Sequence, residues 1–296
     1  MVWYVLGMKM RYTIKDFNRQ FPDDAACLKY LFDQRFPNGG TCKCGKTDCF
    51  YPVTGRKTFA CSWCGFQVSP TAGTIFHKSP TSLRTWFHAM FLMTASRNGV
   101  SAMELMRQVG VTYKCAWRIN HQIRQLMRGE AILLAGIIEA DETYVGGKRP
   151  GVRGRGAAGK TPVAGLLERG GDVNVTAVPD CKAATLMPNI TAKVQPGSTV
   201  FTDEFRSYNG LTQAGFHHAA VDHGRKQYVR GIVHTNGMES FWAQFKRSVH
   251  GTFHHVSRKH MQKYLNEFSY RSNHRQGEPM FVQLASTAGE QRPPAV

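Results

Sequence analysis

Gly136-Ile137-Ile138-Glu139-Ala140 reads as a short strand that ends on a carboxylate, Asp141. Thr199-Val200-Phe201-Thr202 repeats the arrangement and ends on Asp203, 62 residues further on. A third acid, Glu239, follows 36 residues after Asp203, in the first turn of a helix expected over 236–249. Carboxylates at strand ends and on a facing helix can converge without being neighbours in sequence, and such an all-oxygen site suits Mg²⁺. Two divalent ions about 3.5–4 Å apart would clamp the attacking and leaving oxygens of a phosphoryl transfer. The plainer alternative makes Asp141 and Asp203 strand-end caps and lets Glu239 favour a helix start. Glu139, Glu142 and Glu204 show that acids are common nearby. Lys246 sharpens the choice. It lies nearly two turns after Glu239 at about 3.6 residues per turn, so the two side chains share a face. A cation there makes sense if a phosphate backbone crosses that face, and Arg247 adds to it.

Outward from these acids, Pro162–Leu167 and Val173–Val178 flank Gly170-Gly171 as a hairpin. A helix is expected over 183–194, kinked or shortened by Pro188, and a last one carries Met261, Tyr264, Leu265 and Phe268. Strands followed by mixed strands and helices predict an α/β domain over 130–276, with 277–296 a loose tail. Gly154-Arg155-Gly156-Ala157-Ala158-Gly159-Lys160-Thr161 matches the phosphate-loop pattern. That mechanism needs a helix start aimed at the phosphate, whereas Pro162 begins a strand. No nucleotide cofactor is therefore expected. The segment is better read as a basic loop whose Lys148, Arg149, Arg153, Arg155 and Lys160 face DNA phosphates.

Towards the N-terminus, Pro22-Asp23-Asp24 opens a helix in a segment covering 1–38. Five cysteines then fall within 23 residues, at 42, 44, 49, 61 and 64. Zn²⁺ is held by paired ligands on two knuckles. Cys61-Ser62-Trp63-Cys64-Gly65 is a good second knuckle. Either Cys42 with Cys44, or Cys44 with Cys49, can supply the first. The former is favoured because Gly45 follows Cys44 as Gly65 follows Cys64. A zinc ribbon is assigned to 39–78. From 79 to 129 the pattern turns helical: Leu83, Trp86, Phe87, Met90 and Phe91 lie on one face. Helices from Ser101 and from Thr112 flank Val109-Gly110-Val111 as a helix-turn-helix. The second buries Ala116, Ile119, Ile123 and Met127, and shows Lys114, Arg118, Asn120, Gln122 and Arg124, side chains that bind phosphates and base edges.

Composition agrees. In 296 residues, 38 Lys and Arg against 20 Asp and Glu leave a net charge of +18, which calls for a polyanionic partner. With 42% hydrophobic residues the chain can pack a core. No apolar run reaches the ~18 residues of a membrane span. Met1–Gly7 lack a basic leader and a cleavage site, so a cytoplasmic, nucleoid-associated protein is expected.

Three segments carry a family resemblance: Ser69-Pro70-Thr71-Ala72-Gly73-Thr74-Ile75-Phe76, Asp141-Glu142-Thr143-Tyr144-Val145-Gly146-Gly147-Lys148, and His234-Thr235-Asn236-Gly237-Met238-Glu239-Ser240-Phe241-Trp242. They resemble the zinc-ribbon DDE transposases of bacterial insertion sequences, the ISXO-like, fifteen-ninety-five family, and the likeness runs from about Tyr12 to Arg275. It implies a ribonuclease H-like mixed-sheet catalytic domain behind the ribbon and the helical domain. Asp141, Asp203 and Glu239 would be the metal-binding triad, Asp141 bridging two Mg²⁺ or Mn²⁺ ions. Lys246 matches the lysine thought to engage the transposon end. The implied reaction is cleavage of double-stranded DNA at the terminal inverted repeats and transfer of the 3′-hydroxyl to target DNA, by a homodimer or larger assembly. The family usually places two residues between the first pair of cysteines, where this chain has one between Cys42 and Cys44. A DNA-binding regulator, an inactive relic and a plain nuclease are the alternatives.

Overall fold

The computed structural model describes residues 11–129, 132–146, 160–221 and 231–289. The chain divides into two compact units, Met1–Leu126 with Gln276–Val296, and Met127–Arg275.

The first unit begins with α1 (Ile14–Gln20), closed by a capping box between Thr13 and Asp16. In α2 (Asp24–Arg35), Asp23 is the N-cap and Leu28, Leu31 and Phe32 are buried as expected. A three-stranded antiparallel ribbon follows, β1 (Phe50–Pro52), β2 (Phe59–Cys61) and β3 (Gln67–Val68). Phe32 stacks on Phe59 at 4.1 Å and joins α2 to the ribbon. Arg35 Nη1 donates to the carbonyls of Ser69, Pro70 and Ala72, which pins the first of the three family-like segments. In α3 (Leu83–Ala95) the predicted face is fully inward. Its first amides, Leu83 N and Arg84 N, donate to the Asp24 carboxylate at 3.1 and 2.9 Å, so a residue of α2 caps a distant helix. Ser101 caps α4 (Ala102–Val109), which stops at Gly110 in the left-handed region, φ 67°, a conformation that costs glycine little. Then α5 (Tyr113–Leu126) buries Ala116, Ile119 and Ile123. Asn120 and Arg124, expected on its polar face, are buried as well. The helix is covered along a wider stripe than its apolar residues mark, and Asn120 Nδ2 donates inward to the Val100 carbonyl at 3.1 Å.

The second unit is a five-stranded sheet: β4 (Ile137–Val145), β5 (Thr161–Glu168) and β6 (Val173–Ala177), then α6 (Ala183–Thr191), β7 (Thr199–Asp203) and β8 (His217–Val221). Its order is β6-β5-β4-β7-β8. The first three strands form an antiparallel meander, and β7 and β8 run parallel to β4 on its other side. This is the ribonuclease H-like arrangement. One sheet face, including Ile138, Ala140, Leu166 and Val200, packs on α6. The other, with Val145, Val163, Val173 and Val175, packs on α7 (Asn236–Ser248) and α8 (Met261–Asn273). Side-chain amides of α8 satisfy the free edge of β6: Gln262 bonds Ala177 N and the Val175 carbonyl, and Asn273 bonds Val173 N and its carbonyl.

Two expectations need correction. Asp141 lies inside β4 rather than at its end, because β5 pairs with the strand as far as Val145↔Thr161 and carries it past the acidic residues. The segment after Arg275 is not uniformly loose either. It returns to the first unit as α9 (Met280–Ser286). Seven residues are too few for a periodic signal, yet Phe281 is buried among the rings of Tyr12, Phe17, Phe21 and Phe91, with centroids 4.8–5.9 Å away. Phe281→Ala should cost about 3–5 kcal/mol of stability in the first unit, as for other buried phenylalanines. Urea unfolding would measure it, and an unchanged midpoint would mean that α9 only rests on the surface.

Candidate active site and zinc ribbon

Parallel pairing of β4 with β7 sets the geometry of the acids. Ile137 is opposite Thr199, Ile138 opposite Val200 and Glu139 opposite Phe201. Two residues further along each strand are Asp141 and Asp203, on the face that packs α7. Asp203 Oδ1 accepts from Phe205 N at 3.0 Å, which turns the chain away after the strand. Glu239 is in the first turn of α7, its amide bonded to the Thr235 carbonyl at 3.0 Å. Glycine permits the approach of α7. Gly165 pairs with Asp141, and a Cβ there would stand inside the van der Waals envelope of Met238 and Trp242.

The acids are close enough to feel one another's charge. Burial, followed by the charges of Glu142, Asp203 and Glu239, pushes the Asp141 carboxyl up to about 7. Lys246 is half-buried on α7. Burial lowers its ammonium while the charge of Asp141 raises it and that of Lys160 lowers it further, so Lys246 lies within electrostatic reach of both. Arg247 is exposed. Tyr208 donates to Glu142 Oε2 at 2.8 Å on the opposite sheet face and ties the segment after Asp203 back to β4. Lys148 and Arg149 lie outside the described residues. Thr161 does begin a strand, so the phosphate-loop pattern ends without the helix it needs.

The ribbon brings its cysteines closer together. Among the described residues, Cys42, Cys44, Cys61 and Cys64 are the one group of three or more potential ligands whose donor atoms all lie within 4.8 Å of each other; Asp141, Asp203 and Glu239 do not form such a group. Sγ–Sγ distances are 3.5 Å for Cys42–Cys64 and 3.8 Å for Cys44–Cys61. With Zn–S bonds of about 2.3 Å, the edge of a tetrahedral thiolate site is roughly 3.8 Å, so these four fit zinc. Both knuckles close on a glycine at positive φ, Gly45 N donating to the Cys42 carbonyl three residues back and Gly65 N to the Cys61 carbonyl four residues back. The missing residue between Cys42 and Cys44 does not prevent the turn. Cys49 approaches Cys61 to 3.4 Å but is not part of the group of four.

In the first unit Lys114 and Arg118 are exposed on α5 and Gln122 is partly so. The aromatic residues Tyr113 and Trp117 line a cavity of about 420 Å³ with Lys114 and Arg118. Composition and charge do not mark these two rings, although their spacing places them on the cationic face of α5.

Residues 133–273 match the family model of the ISXO2-like transposase domain, and residues 22–67 match that of the transposase zinc-ribbon domain. A transposase-like protein of Haemophilus influenzae is 36% identical over 101 residues, 34% of this chain and 80% of that protein. The chain belongs to the ISXO2-like family of insertion-sequence transposases. A protein in transposable element ISH50 of Halobacterium salinarum is 28% identical to this transposase over 273 residues, 86% of the chain and 92% of its relative. Among solved structures, a pre-cleavage Mos1 transpososome covers 70% of the chain and 80% of its own at 10% identity, with a TM-score of 0.27, a likeness too distant to bear on the site. Among the described residues no helix of the transposase is long and apolar enough to cross a membrane.

Gly165→Val should force α7 off β5 and cost the second unit about 1–3 kcal/mol, the usual range for overpacking. Thermal unfolding would show it, and an unaltered melting temperature would mean that Met238 and Trp242 repack freely.

Proposed function

We propose that the transposase cuts phosphodiesters at the ends of its element and joins the freed 3′-hydroxyl to target DNA, with Asp141, Asp203 and Glu239 holding divalent ions, Mg²⁺ or Mn²⁺. The observation that carries this is the shared face: the β4–β7 register aligns Asp141 with Asp203, and the charges of Asp203, Glu239 and Lys246 all act at Asp141. The donor set fits. Hard carboxylate oxygens, one of them driven towards protonation by burial and then by its neighbours' charge, are a site that a divalent cation relieves. Divalent ions held there would lower the pKa of a bound water and neutralise charge on the transferred phosphate. Asp141, which feels the charge of both other acids, would hold an ion together with each of them. Lys246 and Arg247 are placed to hold the DNA backbone across the α7 face, Lys246 offsetting phosphate charge beside the carboxylates.

Lys114, Arg118 and Gln122 on α5, with Lys148 and Arg149 in the basic loop, are the remaining DNA contacts of this reading. Tyr113 and Trp117 offer apolar surface to sugar or base edges. Cys42, Cys44, Cys61 and Cys64 hold structural Zn²⁺, and Cys49 stands outside the set. Joining two ends requires at least a homodimer on DNA, and the substrate places the protein in the cytoplasm at the nucleoid.

Purified protein should nick a labelled element-end duplex and join it to a supercoiled target in Mg²⁺ or Mn²⁺, while Asp203→Ala binds the end but leaves it uncut. End binding by the wild type with no cutting in either metal would leave a DNA-binding regulator or relic. Removing the charges of Lys114 and Arg118 together should reduce the salt dependence of binding by about two phosphate contacts, a slope change near 1.8. Elemental analysis should find one zinc per chain, kept by Cys49→Ser and lost by Cys61→Ser; the reverse result would reassign the ligands.

A further inference from the structure

Arg169 sits at the turn between β5 and β6, its amide bonded to the Ile137 carbonyl at 2.9 Å. Its guanidinium is engaged on several sides. Nε donates to Glu139 Oε1 at 2.8 Å. Nη1 donates to the Ile232 carbonyl at 2.7 Å, and Nη2 to the His234 carbonyl at 2.8 Å, with His234 Nδ1 at the same distance. The guanidinium carbon lies 4.9 Å from the centre of the Phe201 ring. Glu139 is 1% exposed and uses its other oxygen to accept from Met238 N at 3.0 Å, an amide in the first turn of α7. Gly237 makes that approach possible, since a Cβ there would come within 2.8 Å of Glu139 Oε2.

Each group that Arg169 and Glu139 hold lies just ahead of one of the three acids. Glu139 is two residues before Asp141 on the same face of β4. Phe201, its register partner, is two residues before Asp203. The Ile232–Met238 segment runs directly into Glu239. A buried ion pair is a poor source of stability, because desolvating both charges offsets most of the attraction. What the pair supplies here is geometry. A planar fork of donors joined to a two-oxygen acceptor fixes three backbone segments relative to one another, which a lysine point charge does not do.

We infer that Arg169 and Glu139 are positioning residues, a clamp that sets the spacing of Asp141, Asp203 and Glu239 for divalent ions. This rests on the triad reading above. His234, which lies 3.3 Å from Glu139 Oε1, belongs to the same network, where its Nδ1 and carbonyl both face Arg169.

The test is calorimetric titration of the full-length protein with Mn²⁺, alongside thermal unfolding and cleavage of an element-end duplex. Arg169→Lys and Glu139→Gln change the clamp conservatively, and Gly237→Ala disturbs it with both charges kept. Arg271→Lys is the control, altering a second buried pair in the same unit, Arg271–Glu267 at 2.7 Å. The clamp variants should bind Mn²⁺ about 10–100-fold more weakly, the usual cost of losing a residue that orients metal ligands. They should need correspondingly more Mn²⁺ for half-maximal cleavage and recover most of the wild-type rate at saturation. Arg271→Lys should lower the melting temperature and keep its Mn²⁺ affinity. Folded clamp variants with unchanged affinity, or an equal loss in Arg271→Lys, would overturn the clamp alone. Wild-type protein with no Mn²⁺ uptake sensitive to Asp203→Asn would bring down the triad reading and the clamp with it.

Discussion

Parallel pairing between β4 and β7 is the constraint from which the chemistry of this chain follows, and apolar burial is what fixes it. Ile138 and Val200 face each other and are completely buried on the α6 side of the sheet. Side chains alternate along a strand, so that choice sends Glu139, Asp141, Phe201 and Asp203 to the opposite face. A slip of one residue would expose the apolar set and separate the two aspartates. The hydrophobic effect therefore aligns two like charges that would not assemble by themselves. Gly165, across from Asp141, then lets α7 settle close enough to bring a third.

Gathering negative charge in a protein that must bind DNA has to be balanced elsewhere. From Glu204 to Arg275 the transposase carries 11 Lys and Arg against 4 acids, together with nine of its twelve histidines. At physiological salt the Debye length is about 8 Å, so distant basic patches guide approach while only near ones act at the site. Lys246, whose charge reaches Asp141, is of the second kind.

Much of this was legible beforehand because local rules and tertiary packing agreed. The face of α3, the apolar stripe of α5, the β5–β6 hairpin around Gly170-Gly171, and α7 and α8 all follow from periodicity and turn chemistry. Asp141 and Asp203 were visible as carboxylates after apolar runs and Glu239 as an acid in the first turn of a helix, although Asp141 proves to lie inside its strand, and the knuckle glycines favoured the cysteine pairing that the structure brings together. Elements without periodic signal were missed. α1 is one short helix whose only mark is Thr13-x-x-Asp16. β8 opens with two histidines and two alanines and exists because it extends the ladder of β7. Arg169 and Glu139 lie 30 residues apart, and a buried pair of that separation leaves no pattern in the chain. Glu139 looked like one more neighbouring acid, although an acid between Ile138 and Ala140 in an apolar strand already demands a partner.

The return of the chain to its first unit has a consequence for the order of synthesis. Chains emerge from the ribosome N-terminus first, and units generally fold as they appear. The second unit, Met127–Arg275, has all of its chain once Arg275 has emerged. The unit that holds the ribbon and the helix-turn-helix is not, since its aromatic core is closed by Phe281 from the last described helix. The segment translated first thus finishes folding last. A transposase broken off early keeps its basic surface but lacks the ring that fills its centre.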